Sequence, residues 1–208
     1  MSRQVLACLA LSAFLSAQSL QAQSPWRFEL RGGPAFPTSD LDNASLGTGF
    51  GFEGSVGYRI QPHLRVYGGW DWHRFTADAS FAGIDNDFEE TGYAVGLLFE
   101  HPFGNSESVA FQLRAGGTYN HIEIENAAGD PVADSEHGLG WEGGAGLAVR
   151  FGEAWQVSPG VRFRSLSEDF AFAGATTAGD LRYVALEIGV ARNFQVLSVD
   201  LAASGGQK

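Results

Sequence analysis

Apolar and polar residues alternate along most of this chain with a period of two, which is typical of β-strands. Near the start, Trp26 and Phe28 share one parity while Arg27 and Glu29 share the other. The same alternation recurs down to the last apolar segment. It predicts eight strands, over residues 26–36, 48–60, 64–76, 89–100, 108–123, 138–151, 155–167 and 181–194.

The connections between these predicted strands alternate in length. Three are short, at residues 61–63, 101–107 and 152–154. Four are longer and polar, at residues 37–47, 77–88, 124–137 and 168–180. Short turns at one end and longer loops at the other are typical of transmembrane β-barrels. Such a meander of hairpins also needs no crossover helix.

The predicted strand lengths favour a membrane over water. Strands in soluble sheets usually have about five or six residues, whereas a tilted strand needs roughly 9–11 residues to cross the hydrocarbon. Because lipid offers no hydrogen-bond partner to a free sheet edge, the sheet must close on itself. The sequence therefore predicts an all-β fold, an eight-stranded antiparallel up-and-down transmembrane β-barrel over residues 25–194.

The two faces of the predicted barrel differ in chemistry. All five tryptophans fall on the apolar face, where aromatic residues near strand ends fit the membrane interfaces. The opposite face carries glycine, small polar residues and charges. Its seven acids are Glu29, Glu53, Asp71, Glu90, Glu100, Glu142 and Glu187. Its seven bases are Arg31, Arg59, Arg65, Arg114, Arg150, Arg162 and Arg164.

This balance of acids and bases predicts an ion-paired interior. Buried charges are tolerated when they are paired and hydrogen-bonded, and an eight-stranded lumen is just wide enough for side chains to fill it. We therefore expect a plugged lumen rather than an open channel. The predicted network comprises Glu29, Arg31, Glu53, Arg65, Asp71, Arg114, Glu142, Arg162 and Arg164.

The first residues have the features of a cleaved secretory signal peptide, which we place at residues 1–22. Arg3 precedes an apolar stretch at 5–15, which is too short to span a bilayer, and small polar residues follow as far as Ala22. The sole cysteine, Cys8, lies in this segment, so we expect no disulfide in the exported chain. Residues 195–208 form a short C-terminal tail after the last predicted strand.

The last predicted strand resembles a known assembly signal. Residues 184–194 alternate apolar positions and end on Phe194, a pattern similar to the C-terminal β-signal of bacterial outer-membrane barrels. Residues 26–36, followed by the glycine-rich 47–58, resemble the opening hairpin of the OmpA-like, OmpX-like and opacity-type barrels. The resemblance implies an outer-membrane location and an assembly signal that includes Val190 and Phe194. It also implies contact with lipid, with lipopolysaccharide and with the barrel assembly machinery, and we expect a monomer.

The net charge of the chain excludes one class of function. The net charge of −11 and the absence of a basic cluster exclude a nucleic-acid binder. The excess acids fall in the longer predicted loops. We therefore expect a structural, adhesion or interaction role, carried by acidic extracellular loops.

The sequence contains few candidates for catalytic or metal-binding residues. No histidine is followed two positions later by serine, the pair that outer-membrane lipid A deacylases use. We therefore expect no enzyme activity, no catalytic residue and no cofactor. Asp85, Asp87 and Glu89 are weak candidates for a calcium loop, because they lack the glycine and distal glutamate of an EF-hand. The alternatives are a narrow pore, a lipid-modifying enzyme of the same fold, and a soluble barrel of lipocalin type with an apolar lumen.

Overall fold

The structure is a computed structural model and describes residues 25–41, 44–80, 82–106, 108–172 and 175–194. The predicted signal peptide at 1–22, with Cys8, and the predicted tail at 195–208 lie outside these residues. The described residues contain no helix that is long and apolar enough to cross a membrane.

The chain is built from β-strands joined in sequence order. The strands are β1 (Trp26–Pro37), β2 (Gly49–Gln61), β3 (Leu64–Ser80), β4 (Gly83–Pro102), β5 (Val109–Glu125), β6 (Pro131–Asp134), β7 (Gly138–Phe151), β8 (Trp155–Phe172) and β9 (Ala175–Phe194). Eight of them form an antiparallel ring, and the short β6 pairs only with the far end of β5. The predicted eight-stranded antiparallel barrel is confirmed.

The ring closes where the last strand pairs with the first. Trp26 lies opposite Phe194, and the antiparallel register continues from there to Pro37 opposite Tyr183. Along this seam every β1 residue from Trp26 to Pro37 except Gly33 and Pro34 has a partner on β9, so the ring is closed, as a sheet in lipid requires. Both ends of the described barrel therefore lie at the same mouth as the connections 62–63, 103–108 and 152–154. We call this end the short-turn mouth and the opposite end the long-hairpin mouth.

The strands at the long-hairpin mouth are longer than the sequence predicted. β3 continues to Ser80 and β4 begins at Gly83, and β8 and β9 are separated only by residues 173–174. The prediction that 77–88 and 168–180 are loops was wrong. The alternation does continue there, but the apolar parity changes side: Thr76 and Asp78 point outward while Phe75 and Ala77 are buried inside.

The outward face carries an apolar band between two levels of aromatic residues. Near the long-hairpin mouth these are Trp70, Trp72, Tyr93, Tyr119 and Trp141, and near the short-turn mouth they are Trp26, Tyr58, Phe99, Phe111, Phe151 and Trp155. On β5 the band extends from Val109 to Tyr119, which matches the roughly 9–11 residues that a tilted strand needs to cross the hydrocarbon. Beyond this band the outward positions become polar.

Candidate functional site

Inside the band, inward positions of neighbouring strands bring acids and arginines together. Because side chains alternate between faces, Arg162 and Arg164 on β8 both point into the lumen, two residues apart. We call this region the central charged section. Its members are Glu29, Arg31, Glu53, Asp71, Glu90, Arg114, Glu142, Arg162, Arg164 and Glu187.

Glu142 is the most heavily bonded carboxylate of this section. It accepts hydrogen bonds from Arg114 Nε at 2.7 Å, Arg162 Nη1 at 2.9 Å and Arg164 Nη2 at 2.7 Å. The Tyr67 hydroxyl donates a further bond at 2.6 Å. Charge-assisted hydrogen bonds are the stronger kind, so this one carboxylate ties β7 to β3, β5 and β8.

The ion pairs continue around the lumen from Glu142. Arg114 and Arg162 both also bind Glu53 on β2. Arg162 reaches Glu187 on β9, and Arg31 on β1 joins Glu187 to Glu29 at 3.3 and 2.7 Å. Every one of these side chains is buried, so each charge depends on its partners in place of water.

The upper part of the section is organised around Arg164. This guanidinium binds Asp71 and Glu90, the latter at 3.0 Å. Asn120 donates to the same two carboxylates at 2.9 and 2.7 Å, and the Tyr183 hydroxyl donates to Glu90 at 2.7 Å. His73 Nδ1 lies 3.8 Å from Asp71 and has no hydrogen-bond partner among the described residues.

Towards the long-hairpin mouth the lumen becomes apolar. We call this region the apolar cap; it comprises Ala35, Leu41, Ala44, Phe75, Ala77, Phe88, Ile122, Ile124, Leu166, Leu181, Tyr183 and Ala185. Leu41 and Ala44 come from the β1–β2 connection and exchange backbone hydrogen bonds of 3.0 and 2.9 Å. The Tyr183 ring marks the boundary, with its centroid 5.1 Å from both His73 and Phe75. The sequence predicted a lumen of glycine, small polar residues and charges, and for this part of the lumen that prediction was wrong.

The structure places all nine residues of the predicted network in the lumen, and eight of them pair with an opposite charge. Arg65 differs: it donates to the Pro25 carbonyl at 2.7 Å and to Asn193 at 3.5 Å, both neutral. The predicted network did not include Arg27, although Arg27 has the same parity as Glu29 and forms an ion pair with it at 3.3 Å. It also did not include three neutral partners, Tyr67, Asn120 and Tyr183, because the prediction was made from charged side chains alone.

A second polar region lies outside the barrel, above the apolar band. We call it the acidic rim, formed by the carboxylates of Asp87, Glu89, Glu123, Glu125 and Asp134. Arg74 lies among them, with Nη1 3.0 Å from Glu89 and Nη2 3.8 Å from Glu125. It also binds Asp87, and this hydrogen bond raises the pKa of the Arg74 guanidinium above its ordinary value.

The three weak calcium candidates do not converge. Asp87 and Glu89 both bind Arg74, and Asp85 adopts a left-handed backbone conformation with φ of 53° at the start of β4. Over the ranges that the structure describes, no three histidine, aspartate or glutamate side chains lie together in a way that could hold a metal ion. Within the same ranges, no hydrogen bond joins a histidine ring to a serine hydroxyl.

Both residues of the predicted assembly signal lie on the outward face of β9. Val190 is exposed, and Phe194 lies opposite Trp26 at the closing seam. Between them, Arg192 lies over the Trp155 ring, 5.4 Å from its centroid. Its charge is thus held at the aromatic level near the short-turn mouth, where a long side chain can reach the interface.

An apolar outward band around a closed strand ring defines an integral outer-membrane protein. The family model described as "Outer membrane protein beta-barrel domain" matches residues 7–194, and the chain belongs to this family. Comparison with curated protein sequences gave no match.

Solved outer-membrane barrels have the same fold. Neisserial surface protein A (NspA) superposes with a TM-score of 0.60 at 19% identity, over 81% of this chain and 97% of that one. OprG of Pseudomonas aeruginosa gives 0.55 at 17% identity, over 86% and 100%. Outer membrane protein W of E. coli gives 0.52 at 15% identity, over 83% and 100%. At these identities the likeness concerns the fold, and it agrees with the predicted outer-membrane location.

Proposed function

We propose that this protein is a closed, non-enzymatic barrel with a structural and interaction role, carried by the acidic surface beyond the membrane. The observation that supports this most directly is the buried ion-pair network of the central charged section beneath the apolar cap. Filling the lumen with paired charges makes a rigid support. It also leaves the polar hairpins at the long-hairpin mouth as the surface available to partners.

Conductance across a planar bilayer tests the closed lumen. The wild-type barrel should give no stepwise current after insertion. The matched control is the double variant Glu53→Ala with Arg162→Ala, which removes a buried acid–base pair together and widens the lumen. Current through that variant would establish that insertion occurred. Steps through the wild-type protein would favour a narrow pore instead.

Lipid modification is the alternative that keeps the same fold. Incubating the barrel with lipopolysaccharide and phospholipid, followed by mass spectrometry of the lipids, should leave every acyl chain in place. A deacylated or transferred product would overturn the non-enzymatic proposal. Five histidines are the first residues to replace in that case.

The acidic rim supports lipopolysaccharide as a partner. Carboxylates above the apolar band lie at the height of the lipid phosphates, so divalent cations can bridge the two. Retention of lipopolysaccharide by the barrel in nanodiscs should rise with Mg²⁺ and fall when Glu123 and Glu125 are both replaced by glutamine. Glu153→Gln, at the short-turn mouth, is the matched control and should retain as much as the wild type. Equal retention by all three proteins would contradict this assignment.

A further inference from the structure

A cavity of about 330 Å³ opens at the short-turn mouth, below the central charged section. Four arginines line it: Arg27, Arg59, Arg65 and Arg150. The carboxylates on its wall are Glu100 and Glu153. We call this cavity the arginine vestibule. In a chain whose net charge is −11, it is a local excess of positive charge.

The excess of positive charge is greatest where β2 and β3 meet. Arg59 and Arg65 lie directly opposite each other in the antiparallel register, an arrangement that repels when both residues are cations. Arg65 is buried and donates only to the neutral oxygens of Pro25 and Asn193. Among the described residues no carboxylate lies within 4.0 Å of either guanidinium.

The acids near the vestibule are already engaged or lie apart from this pair. Glu100 accepts from Arg27 at 3.0 Å, from Gln112 at 3.0 Å and from Arg150. Glu153 is exposed on the β7–β8 turn and makes no ion pair with any described residue. In the central charged section, by contrast, each arginine binds at least two carboxylates.

We propose that the arginine vestibule is a binding site for a phosphate-class oxyanion. Guanidinium groups donate paired N–H bonds whose geometry matches phosphate oxygens, and the anion would separate the charges of Arg59 and Arg65. A volume of about 330 Å³ lies within the range of roughly 300–1,000 Å³ that small-molecule pockets occupy, so a phosphate ester fits. Short turns face the periplasm in these barrels, so the phosphate arrives as a soluble ester or as the headgroup of an inner-leaflet phospholipid.

Titration of the exported chain in octyl glucoside, a detergent without phosphate, tests the site. The probes are pyrophosphate and, separately, short-chain phosphatidylglycerol, at constant ionic strength. The readout is the set of arginine Nε–H resonances in ¹H–¹⁵N spectra. Saturable shifts with either probe support the proposal, and the probe that binds identifies the source of the phosphate. No saturable shift with either probe overturns it.

Two arginine variants distinguish binding in the arginine vestibule from non-specific electrostatic attraction of the anion to the protein. Arg59→Gln, at an exposed position, should weaken binding about tenfold, the effect of losing roughly 1.4 kcal/mol. Arg182→Gln, near the long-hairpin mouth with 48% of its side chain exposed, is the matched control and should bind like the wild type. Equal weakening by both would overturn the proposal. If Arg59→Gln does not fold, Arg65→Lys takes its place as the test. This variant keeps the positive charge but loses the planar guanidinium, and it should also weaken binding.

Discussion

The central charged section and the apolar cap occupy the same lumen and the same inward faces, yet their chemistry is opposite. Around the charged section the outside of the barrel is apolar and contacts lipid. Around the cap the outside is polar, with Arg74 and Asp87 on adjacent strands, and contacts water. Burying apolar side chains is favourable when the alternative is water, so the hydrophobic effect can hold the barrel from inside only above the membrane.

The comparison explains why one lumen uses two kinds of packing. Within the membrane, closed strand pairing already satisfies the backbone, and the interior is filled by charges that satisfy one another. Above the membrane, the extended hairpins have the polar exterior of a water-soluble sheet, and Phe75, Leu166 and Leu181 supply the buried core. The substitutions below test this division, from the largest expected effect to the smallest.

Glu142→Ala should be the most destabilising change, by about 4 kcal/mol, because it removes one carboxylate partner from each of three buried arginines, Arg114, Arg162 and Arg164. Urea unfolding of the barrel in phospholipid vesicles, followed by tryptophan fluorescence, measures the loss. Glu142→Gln retains the shape and one acceptor oxygen and should lose less. An unchanged midpoint for Glu142→Ala would mean that the central charged section contributes little to stability.

Leu166→Ala tests the apolar cap and should cost about 3 kcal/mol, from lost burial and the cavity left behind. Its matched control is Leu186→Ala on the lipid-facing side of β9, where Leu186 is exposed. That change removes no core contact and should cost less in the same urea assay. If the two variants lose equal stability, the apolar cap does not act as a buried core that the hydrophobic effect stabilises.

Gly51→Ala tests the boundary between the two regions and should cost about 2 kcal/mol. A Cβ at Gly51 would overlap the ring of His73, which is buried against Tyr183 and has little room to move. Gly54, on the same strand, has nothing within 4 Å of the corresponding position, so Gly54→Ala should be close to neutral. The two variants are compared by the temperature at which the compact, folded band disappears from gels of samples that were not boiled.

Arg74→Gln should have the smallest effect, about 0.5 kcal/mol, because 41% of the Arg74 side chain is exposed. Its ion pairs are screened by water and salt, unlike those of Arg164. Raising the salt concentration should remove the difference from the wild type in the urea assay. A loss as large as that for Glu142→Ala would show that burial is not what distinguishes the central charged section.

Much of the structure of the membrane-spanning part could be predicted from the alternation of inward and outward positions along each strand. Residues such as Glu53 and Arg162 stand at inward positions of regular strands, and their charges make the lumen face easy to recognise. Prediction failed above the membrane, because Phe75 and Phe88 have the opposite parity to the apolar residues below them. A rule that assigns apolar residues to the outside interprets such a segment as a loop. The long-range pairing of β3 with β4 was needed to correct it.

The sequence by itself determined the eight strands of the ring, their closed antiparallel order and the inward position of the charges, because these follow from a period of two and from the needs of backbone groups in lipid. Only the tertiary structure decided which charges meet. Arg164 and Asp71 are 93 residues apart in the chain and bind across the lumen. The tertiary structure also left Arg59 and Arg65 facing each other without a carboxylate between them, because strand register, and not composition, sets which side chains share a mouth.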